Sequence, residues 1–255
     1  MTDCILVEDR DGIRHITLNR AQRGNALTAA MLVSIARVVK DVSPAQTDLV
    51  LLRSSSATVF CAGGDINEFL QGPKQLATQG AALKEAMLAL SLCPVPVLAI
   101  AAGKAAGAGV ILLAMTDIVI AAENLSLSCP EIAFNMYPVI VQAALETKIS
   151  SARARQLCIS GQPLDAKAAQ GLGLVTDIFA TRDFDSHAQQ RLGFYIKRRE
   201  ALLIARKARL LTDSPASALQ QLDALEPLMH ENFDRPGVQE SIRTYLVDLR
   251  AQRAG

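Results

Sequence analysis

The feature that most constrains this sequence is a repeated order in which a short apolar run leads through a turn into a helical pattern. Apolar runs at residues 49–52 and 97–101, and a third strand pattern at residues 117–121 that is apolar after Asp117, have the length of strands that are buried on both faces. Patterns with helical spacing separate these runs. Because strand–helix–strand units pair their strands in parallel through right-handed crossovers, the order predicts an α/β fold.

The remaining patterns divide the chain into an α/β part and a helical part. Residues 4–7 and 13–18 flank a turn that ends in Gly12 and predict a β-hairpin. Helical spacing predicts helices over residues 29–40, 80–92 and 103–115. A strand is expected at residues 174–178, and the pattern is almost entirely helical from Asp183 onward. We therefore expect an α/β core at residues 1–180 and a helical C-terminal region at residues 181–255.

Charge and composition exclude several classes of protein. The net charge is +1, whereas nucleic-acid-binding domains usually carry a strong basic excess. Lys104 and three glycines interrupt the most apolar stretch, residues 94–115, so neither half has the roughly 20 residues of a membrane span. The five cysteines lack metal-ligand or disulfide spacing. With no signal peptide pattern at the N-terminus, we expect a cytoplasmic protein with no metal site.

Two glycine-containing turns are candidates for binding a ligand through the backbone. The first is Phe60-Cys61-Ala62-Gly63-Gly64-Asp65, and the second runs over residues 101–109. Glycine lets a ligand approach the backbone, and a helix N-terminus offers free N–H groups. Two such turns facing one cavity would form an oxyanion hole. Two nucleotide-binding motifs do not fit. A P-loop ends in Gly-Lys-Ser/Thr, whereas Gly103-Lys104 begins this segment, and the Rossmann motif needs a third glycine where Leu112 stands.

A third candidate is the turn Cys129-Pro130-Glu131. A carboxylate among apolar neighbours can have a raised pKa that suits acid–base catalysis. The alternative is a helix-start glutamate that interacts only with the helix dipole, and the spacing alone favours that structural role.

These segments, in this order, resemble the motifs of the crotonase superfamily, the enoyl-CoA hydratase/isomerase family. The turn at residues 60–65 resembles its F-x-A-G-A-D segment, and residues 102–109 resemble its N-G-x-x-x-G-G-G segment. Residues 128–131 are similar to its G-x-P-E turn. Asn19-Arg20 with Asn25-Ala26-Leu27, and residues 161–175, match further family signatures. The resemblance implies a crotonase-like ββα spiral core.

The resemblance also implies a site. The N–H groups of Gly64 and Ala108 would bind a thioester oxygen, and Glu131 would be the acid–base group. The coenzyme A path would be lined by a set of residues around the first turn, namely Ala26, Ala62, Gly64, Asp65, Ile66, Asn67 and Ala108. The implied substrate is an acyl-CoA, or the same acyl group on an acyl carrier protein, and no cofactor is expected beyond coenzyme A as part of the substrate.

Relatives form trimers and dimers of trimers, so a homotrimer or hexamer is expected. The apolar tail residues are consistent with an interface: Ile242, Tyr245, Leu246 and Leu249.

The sequence departs from the family pattern at the first of two carboxylates, where Ile111 replaces glutamate. One carboxylate suffices to move a double bond, so isomerisation is favoured over efficient hydration. Open alternatives are a hydratase, a dehydratase or decarboxylase acting on carrier-bound branched acyl groups, and a non-catalytic acyl-CoA-binding protein. Tyr137 is expected to reshape the acyl pocket, and His230 is a candidate for the decarboxylase alternative.

A basic stretch at residues 197–209 is interpreted as a solvated helix face, with the 3′-phosphate of coenzyme A as the alternative partner.

Overall fold

The computed structural model describes residues 3–212, 215–235 and 237–254. Within that part of the chain the strands are β1 (Ile5–Arg10), β2 (Ile13–Leu18), β3 (Leu49–Ser54), β4 (Val59–Cys61), β5 (Val97–Ala101), β6 (Lys104–Ala106), β7 (Ile118–Ala122), β8 (Ser126–Ser128), β9 (Leu164–Asp165) and β10 (Asp177–Phe179). The α-helices there are α1 (Ala29–Lys40), α2 (Ile66–Phe69), α3 (Pro73–Leu92), α4 (Ala108–Ala114), α5 (Val139–Glu146), α6 (Ser151–Ser160), α7 (Ala166–Gly171), α8 (Phe184–Ile196), α9 (Arg199–Thr212), α10 (Pro215–Asp234) and α11 (Val238–Ala254).

The larger sheet has the order β1-β2-β3-β5-β7-β10, and the α/β fold predicted from the sequence is confirmed. The predicted hairpin is also confirmed: β1 and β2 are antiparallel, and Asp11 and Gly12 form the turn at φ 52° and 74°. Positive φ at both turn residues matches the right-handed twist of the strands. From β2 onward the neighbouring strands are parallel.

Helices cover both faces of this sheet, which explains the continuous apolar runs in the sequence. Leu49 and Leu51 belong to a buried cluster that includes Phe184 of α8, whereas Val50 and Leu52 belong to the main core. Side chains alternate between the faces of a strand, so a strand buried on both sides must be apolar at every position.

The smaller sheet has the order β4-β6-β8-β9, and it corrects one prediction. The helix expected over residues 103–115 begins only at Ala108, because Lys104–Ala106 is a strand between β4 and β8. Gly103 has φ +70°, and a Cβ there would lie 1.9 Å from the carbonyl oxygen of Thr58. This close approach to a neighbouring loop holds the segment in strand pairing.

Other predicted bounds hold or move by a few residues. Helix α1 has the predicted bounds, and the Thr28 hydroxyl caps it by accepting from the Met31 N–H at 3.2 Å. Helix α3 begins earlier than expected, at Pro73. Proline is tolerated there because the N–H groups of the first helical turn have no acceptor within the helix. The strand expected at residues 174–178 is found at Asp177–Phe179 instead.

The C-terminal helices pack back onto the core of the same chain. Ile242 is buried in a cluster with Phe134 and Phe233, and the Tyr245 ring meets that of Phe134 at 4.7 Å. These two tail residues, expected at an interface, are therefore used within the chain, and the Leu249 side chain lies outside the described part. None of the helices that the structure describes combines the length and the apolar character that a membrane span requires.

Candidate active site

Three neighbouring parallel strands of the smaller sheet lead to the three predicted catalytic residues. Strand β4 leads to Gly64, β6 to Ala108 and β8 to Glu131. Because the carboxyl ends of parallel strands meet at one edge of a sheet, this order brings the three residues together. All three line one cavity of about 130 Å³.

The N–H group of Gly64 points away from its neighbouring strand segment. The Leu27 N–H donates to the Gly63 carbonyl, and the Asp65 N–H donates to the Leu27 carbonyl, both at 2.8 Å. Extended backbone alternates its hydrogen-bonding groups between sides, so the Gly64 N–H faces the other way. Within the described residues it donates to no protein acceptor, and it remains available to a ligand.

The N–H group of Ala108 is available because Ala108 begins helix α4, where first-turn N–H groups lack intrahelical acceptors. Gly107 precedes it with φ 49° and ψ −113°, a conformation that favours glycine. A Cβ on Gly107 would lie 2.5 Å from Glu131 Oε1 and 3.8 Å from the Cα of Gly63. Glycine at position 107 therefore lets both turns and the carboxylate approach one another.

Glu131 lies in a 3₁₀ helix over Pro130–Phe134. Its Oε2 atom is buried and has no hydrogen-bond partner among the described residues. Burial raises the pKa of Glu131 from 4.5 to about 7. At neutral pH both protonation states are therefore populated, which suits a group that takes a proton and returns it.

Ile111 of α4 is 1% exposed and lines the same cavity. Among the described residues that form the wall, Glu131 is the one carboxylate. The described residues also contain no group of three His, Cys, Asp or Glu side chains placed to hold a metal ion. Among the described residues the cavity wall therefore offers one carboxylic acid in a largely apolar lining.

Asp65 is buried like Glu131 but is fully paired. Its carboxylate lies 2.7 Å from Arg20 Nη1 and accepts from the backbone and side-chain nitrogens of Asn67 at 3.0 and 2.9 Å. Burial alone would raise the pKa of Asp65, but the hydrogen bonds from Asn67 and Arg20 outweigh it and leave the pKa lowered. This carboxylate caps α2 and holds the first glycine turn in shape.

The other residues predicted for coenzyme A lie on the outer side of the first turn. Ala26 and Ile66 are half-buried, and Ala62 and Asn67 are exposed. The Ala62 N–H donates to the Gly24 carbonyl, so the two segments run side by side next to the cavity. These four residues and Asp65 do not line the cavity itself, and their contact with coenzyme A stays a prediction.

The structure also places the secondary candidates. Tyr137 lines the cavity, and its hydroxyl donates to Gln142 Oε1. His230 lies in α10 and does not contribute to the described wall.

The basic stretch is not simply a solvated face. Arg206 is 2% exposed, contacts Asp117 at 2.8 Å, and donates to the carbonyls at the end of α3.

Several wall residues were not found from the sequence. Gln79 of α3 lines the cavity among aliphatic neighbours, and Met229 and Phe233 of α10 contribute to its wall. The Phe233 ring meets that of Phe69 edge-on at 6.2 Å. The sequence signal that could have identified Gln79 is a single amide on an otherwise apolar helix face. No sequence signal could have identified Met229 and Phe233, because only tertiary packing brings α10 to the cavity.

Solved structures of known proteins share this fold. The solved structure of an enoyl-CoA hydratase from Bacillus halodurans matches with a TM-score of 0.85, covering 95% of this chain and 100% of that chain at 19% identity. An enoyl-CoA hydratase structure from Mycobacterium smegmatis matches with a TM-score of 0.74 at 25% identity, covering 96% of this chain and 97% of that chain. The fold is crotonase-like. The model of the enoyl-CoA hydratase/isomerase family matches residues 8–252, and the chain belongs to that family.

Curated relatives include both hydratases and isomerases. The 2,3-dehydroadipyl-CoA hydratase of Escherichia coli is 29% identical over 221 residues, which are 85% of this chain and 84% of that protein. Enoyl-CoA delta isomerase 2 of Rattus norvegicus is 29% identical over 198 residues, 76% of this chain and 50% of that protein. The chain spans about half to three-fifths of the length of the first curated relatives it matches.

Proposed function

We propose that this chain is an acyl-CoA enzyme that moves a double bond through a thioester enolate, with Glu131 as its single acid–base group. The observation that carries the proposal is the pair of side chains on one cavity wall. The Oε2 atom of Glu131 is buried without a hydrogen-bond partner among the described residues, and Ile111 stands where the family resemblance implies a second carboxylate.

The proposed reaction needs one base and one anion site. Ionised Glu131 removes a proton from C2 of a 3-enoyl thioester, and the electron pair moves onto the thioester oxygen. The N–H groups of Gly64 and Ala108 hold that enolate oxygen. When the enolate collapses, C4 takes the proton from Glu131, and the double bond ends between C2 and C3.

Efficient hydration would require a water molecule that is activated and held against C3. In this cavity Glu131 is the one carboxylate among the described residues that can activate the water, since Ile111 offers no hydrogen bond. A positioned acid–base group typically contributes about 10²–10⁴-fold, so hydration loses a factor in this range while isomerisation does not.

The test compares two reactions on acyl chains of equal length. Isomerisation of 3-enoyl-CoA and hydration of 2-enoyl-CoA are measured with the wild type and with Glu131→Gln. We expect isomerisation to dominate in the wild type, and Glu131→Gln to lower it by about 10²–10⁴-fold. The matched control is Glu200→Gln on α9, which removes an exposed carboxylate and should change neither rate. Rapid hydration of crotonyl-CoA by the wild type would contradict the proposal.

Hydration is the second candidate, and one comparison favours it. The hydratase from Escherichia coli aligns with 85% of this chain and over 84% of its own length. Under this alternative Glu131 would activate water by itself, and hydration would exceed isomerisation in the same assay.

A further inference from the structure

Gln79 presents a buried hydrogen-bond acceptor at the cavity. It lies on α3, is 3% exposed, and lines the same wall as Gly64 and Glu131. Its Oε1 atom has no hydrogen-bond partner among the described residues. An unpaired buried acceptor costs desolvation free energy, so a ligand that supplies a donor there gains affinity.

The orientation of the Gln79 amide follows from its other atom. Nε2 donates to the carbonyl oxygen of Leu27 at 2.7 Å. A flipped amide would place two oxygen acceptors against each other at that distance, so Nε2 must face Leu27. Oε1 is therefore the atom that is left for a ligand.

The surroundings of this acceptor favour a hydroxyl of the substrate over a bound water. Leu76 and Leu83 flank Gln79 on the cavity face of α3, and Gly80 between them has no side chain. A buried water typically makes about three hydrogen bonds, and this face offers one acceptor. A hydroxyl that is attached to the substrate needs no further partner to be held in place.

Gln79 also lies close to the expected thioester position. Its Nε2 atom is 3.6 Å from the place that a Cβ on Gly64 would occupy. The side-chain amide of Gln79 therefore lies beside the glycine turn that is expected to hold the thioester oxygen.

We infer that Gln79 is a specificity residue that accepts a hydrogen bond from a hydroxyl carried by the acyl chain of the substrate. The inference rests on the proposed acyl-thioester function of the cavity. It assigns the preferred substrate class as acyl-CoA with a hydroxyl within a few carbons of the thioester.

The experiment measures equilibrium binding, which does not depend on turnover. Butanoyl-CoA, 3-hydroxybutanoyl-CoA and 4-hydroxybutanoyl-CoA are titrated into the wild type by calorimetry, with product analysis to confirm that each ligand is unchanged. We expect one hydroxylated ligand to bind at least about tenfold more tightly than butanoyl-CoA, the effect of one well-placed hydrogen bond in a buried site. Equal affinities in the wild type overturn the inference.

Variants separate a ligand contact from a structural role. Gln79→Leu should abolish the preference for the hydroxyl while keeping the affinity for butanoyl-CoA. Gln79→Met keeps a side chain of similar length without the amide oxygen and should lose the preference in the same way as Gln79→Leu. Gln75→Leu, one turn earlier on α3 and outside the cavity wall, is the matched control and should behave as the wild type.

An equal loss of affinity for all three ligands in Gln79→Leu would show that Gln79 acts only through Leu27 and the Gly64 turn, and would overturn the inference. The proposed catalytic function is tested by a different measurement, the turnover of the wild type and Glu131→Gln. The two claims can therefore fail independently.

Discussion

Asp65 and Glu131 are two buried carboxylates beside the same cavity, and their surroundings differ completely. Asp65 is paired with Arg20 and Asn67, and its pKa is lowered. Glu131 has an unpaired Oε2 atom, and burial raises its pKa to about 7. Two acids of similar chemistry therefore take different protonation states at neutral pH.

The difference shows which carboxylate is free to react. The partners of Asp65 stabilise its charge, so it holds the first glycine turn and exchanges no proton near neutral pH. The Oε2 atom of Glu131 has no hydrogen-bond partner in the described residues, and burial outweighs the one backbone hydrogen bond that favours its charge, so the pKa of Glu131 is raised to about 7. Under the proposed function, the negative charge of the enolate would be held by the backbone N–H groups of Gly64 and Ala108.

The largest expected effect comes from removing one of those donors. Ala108→Pro deletes an N–H that is not used by helix α4, and proline is well tolerated at the first helical position. We expect kcat to fall by about 10²–10³-fold, as for loss of one oxyanion donor, with the thermal midpoint nearly unchanged.

The control for Ala108→Pro is Ser151→Pro, an exposed first position of α6, which should keep full activity. Full activity of Ala108→Pro itself would break the account of the anion site.

The next effect is on the unfolding free energy. Its dependence on pH should have opposite signs for Glu131 and Asp65. Because the folded-state pKa of Glu131 is raised from 4.5 to about 7, its favourable contribution is present below pH 4.5 and is lost as pH rises through 7. Between these limits the wild type should lose about 3 kcal/mol of unfolding free energy relative to Glu131→Gln. Urea unfolding of both proteins across this range measures it, and a constant difference would contradict the raised pKa.

Asp65 should behave in the opposite way. Asp65→Asn removes the charge that pairs with Arg20 and should lower the unfolding free energy by about 2 kcal/mol at neutral pH, the contribution of a hydrogen bond to a charged group. Since the folded pKa of Asp65 is lowered, this loss should shrink as pH falls below 3.8 and through that lowered pKa. Asp185→Asn, at an exposed position of α8, is the control for which a change within about 0.5 kcal/mol is expected.

The smallest effect comes from giving Glu131 a second carboxylate as neighbour. Ile111→Glu should raise the ratio of hydration to isomerisation by about tenfold or more, because a second group can hold water. Repulsion between the two carboxylates should also raise the pKa of Glu131 further, shifting the pH profile upward. Ile111→Gln supplies polarity without a base and should leave the ratio much closer to that of the wild type.

Much of the fold was predictable from local signals, whereas the roles of the site residues were implied by the family resemblance and stay predictions. Helix α1 has the bounds that its apolar spacing predicts. The turns at Gly64, Ala108 and Glu131 were identified individually, and the structure brings them to one cavity. Trimeric or hexameric assembly, cytoplasmic location and the coenzyme A path stay predictions.

The features that were missed depend on partners distant in the chain. Strand β6 is short and alanine-rich, and its pairing with β4 and β8 makes it a strand where its pattern resembled a helix. Gln79 is an ordinary helix residue until packing buries it against the carbonyl of Leu27. Arg206 was interpreted as part of a solvated face, but its partner Asp117 and the end of α3 lie far away in sequence.

The most direct test of the central claim is exchange of the C2 proton of an acyl-CoA with deuterium from D₂O, followed by NMR. Exchange reports enolate formation whatever the final product is. The account predicts exchange by the wild type, with a rate that rises with pH through about 7 as Glu131 ionises, and a loss of about 10²–10⁴-fold in Glu131→Gln. Exchange at the wild-type rate in Glu131→Gln would show that another group is the base and would contradict the account.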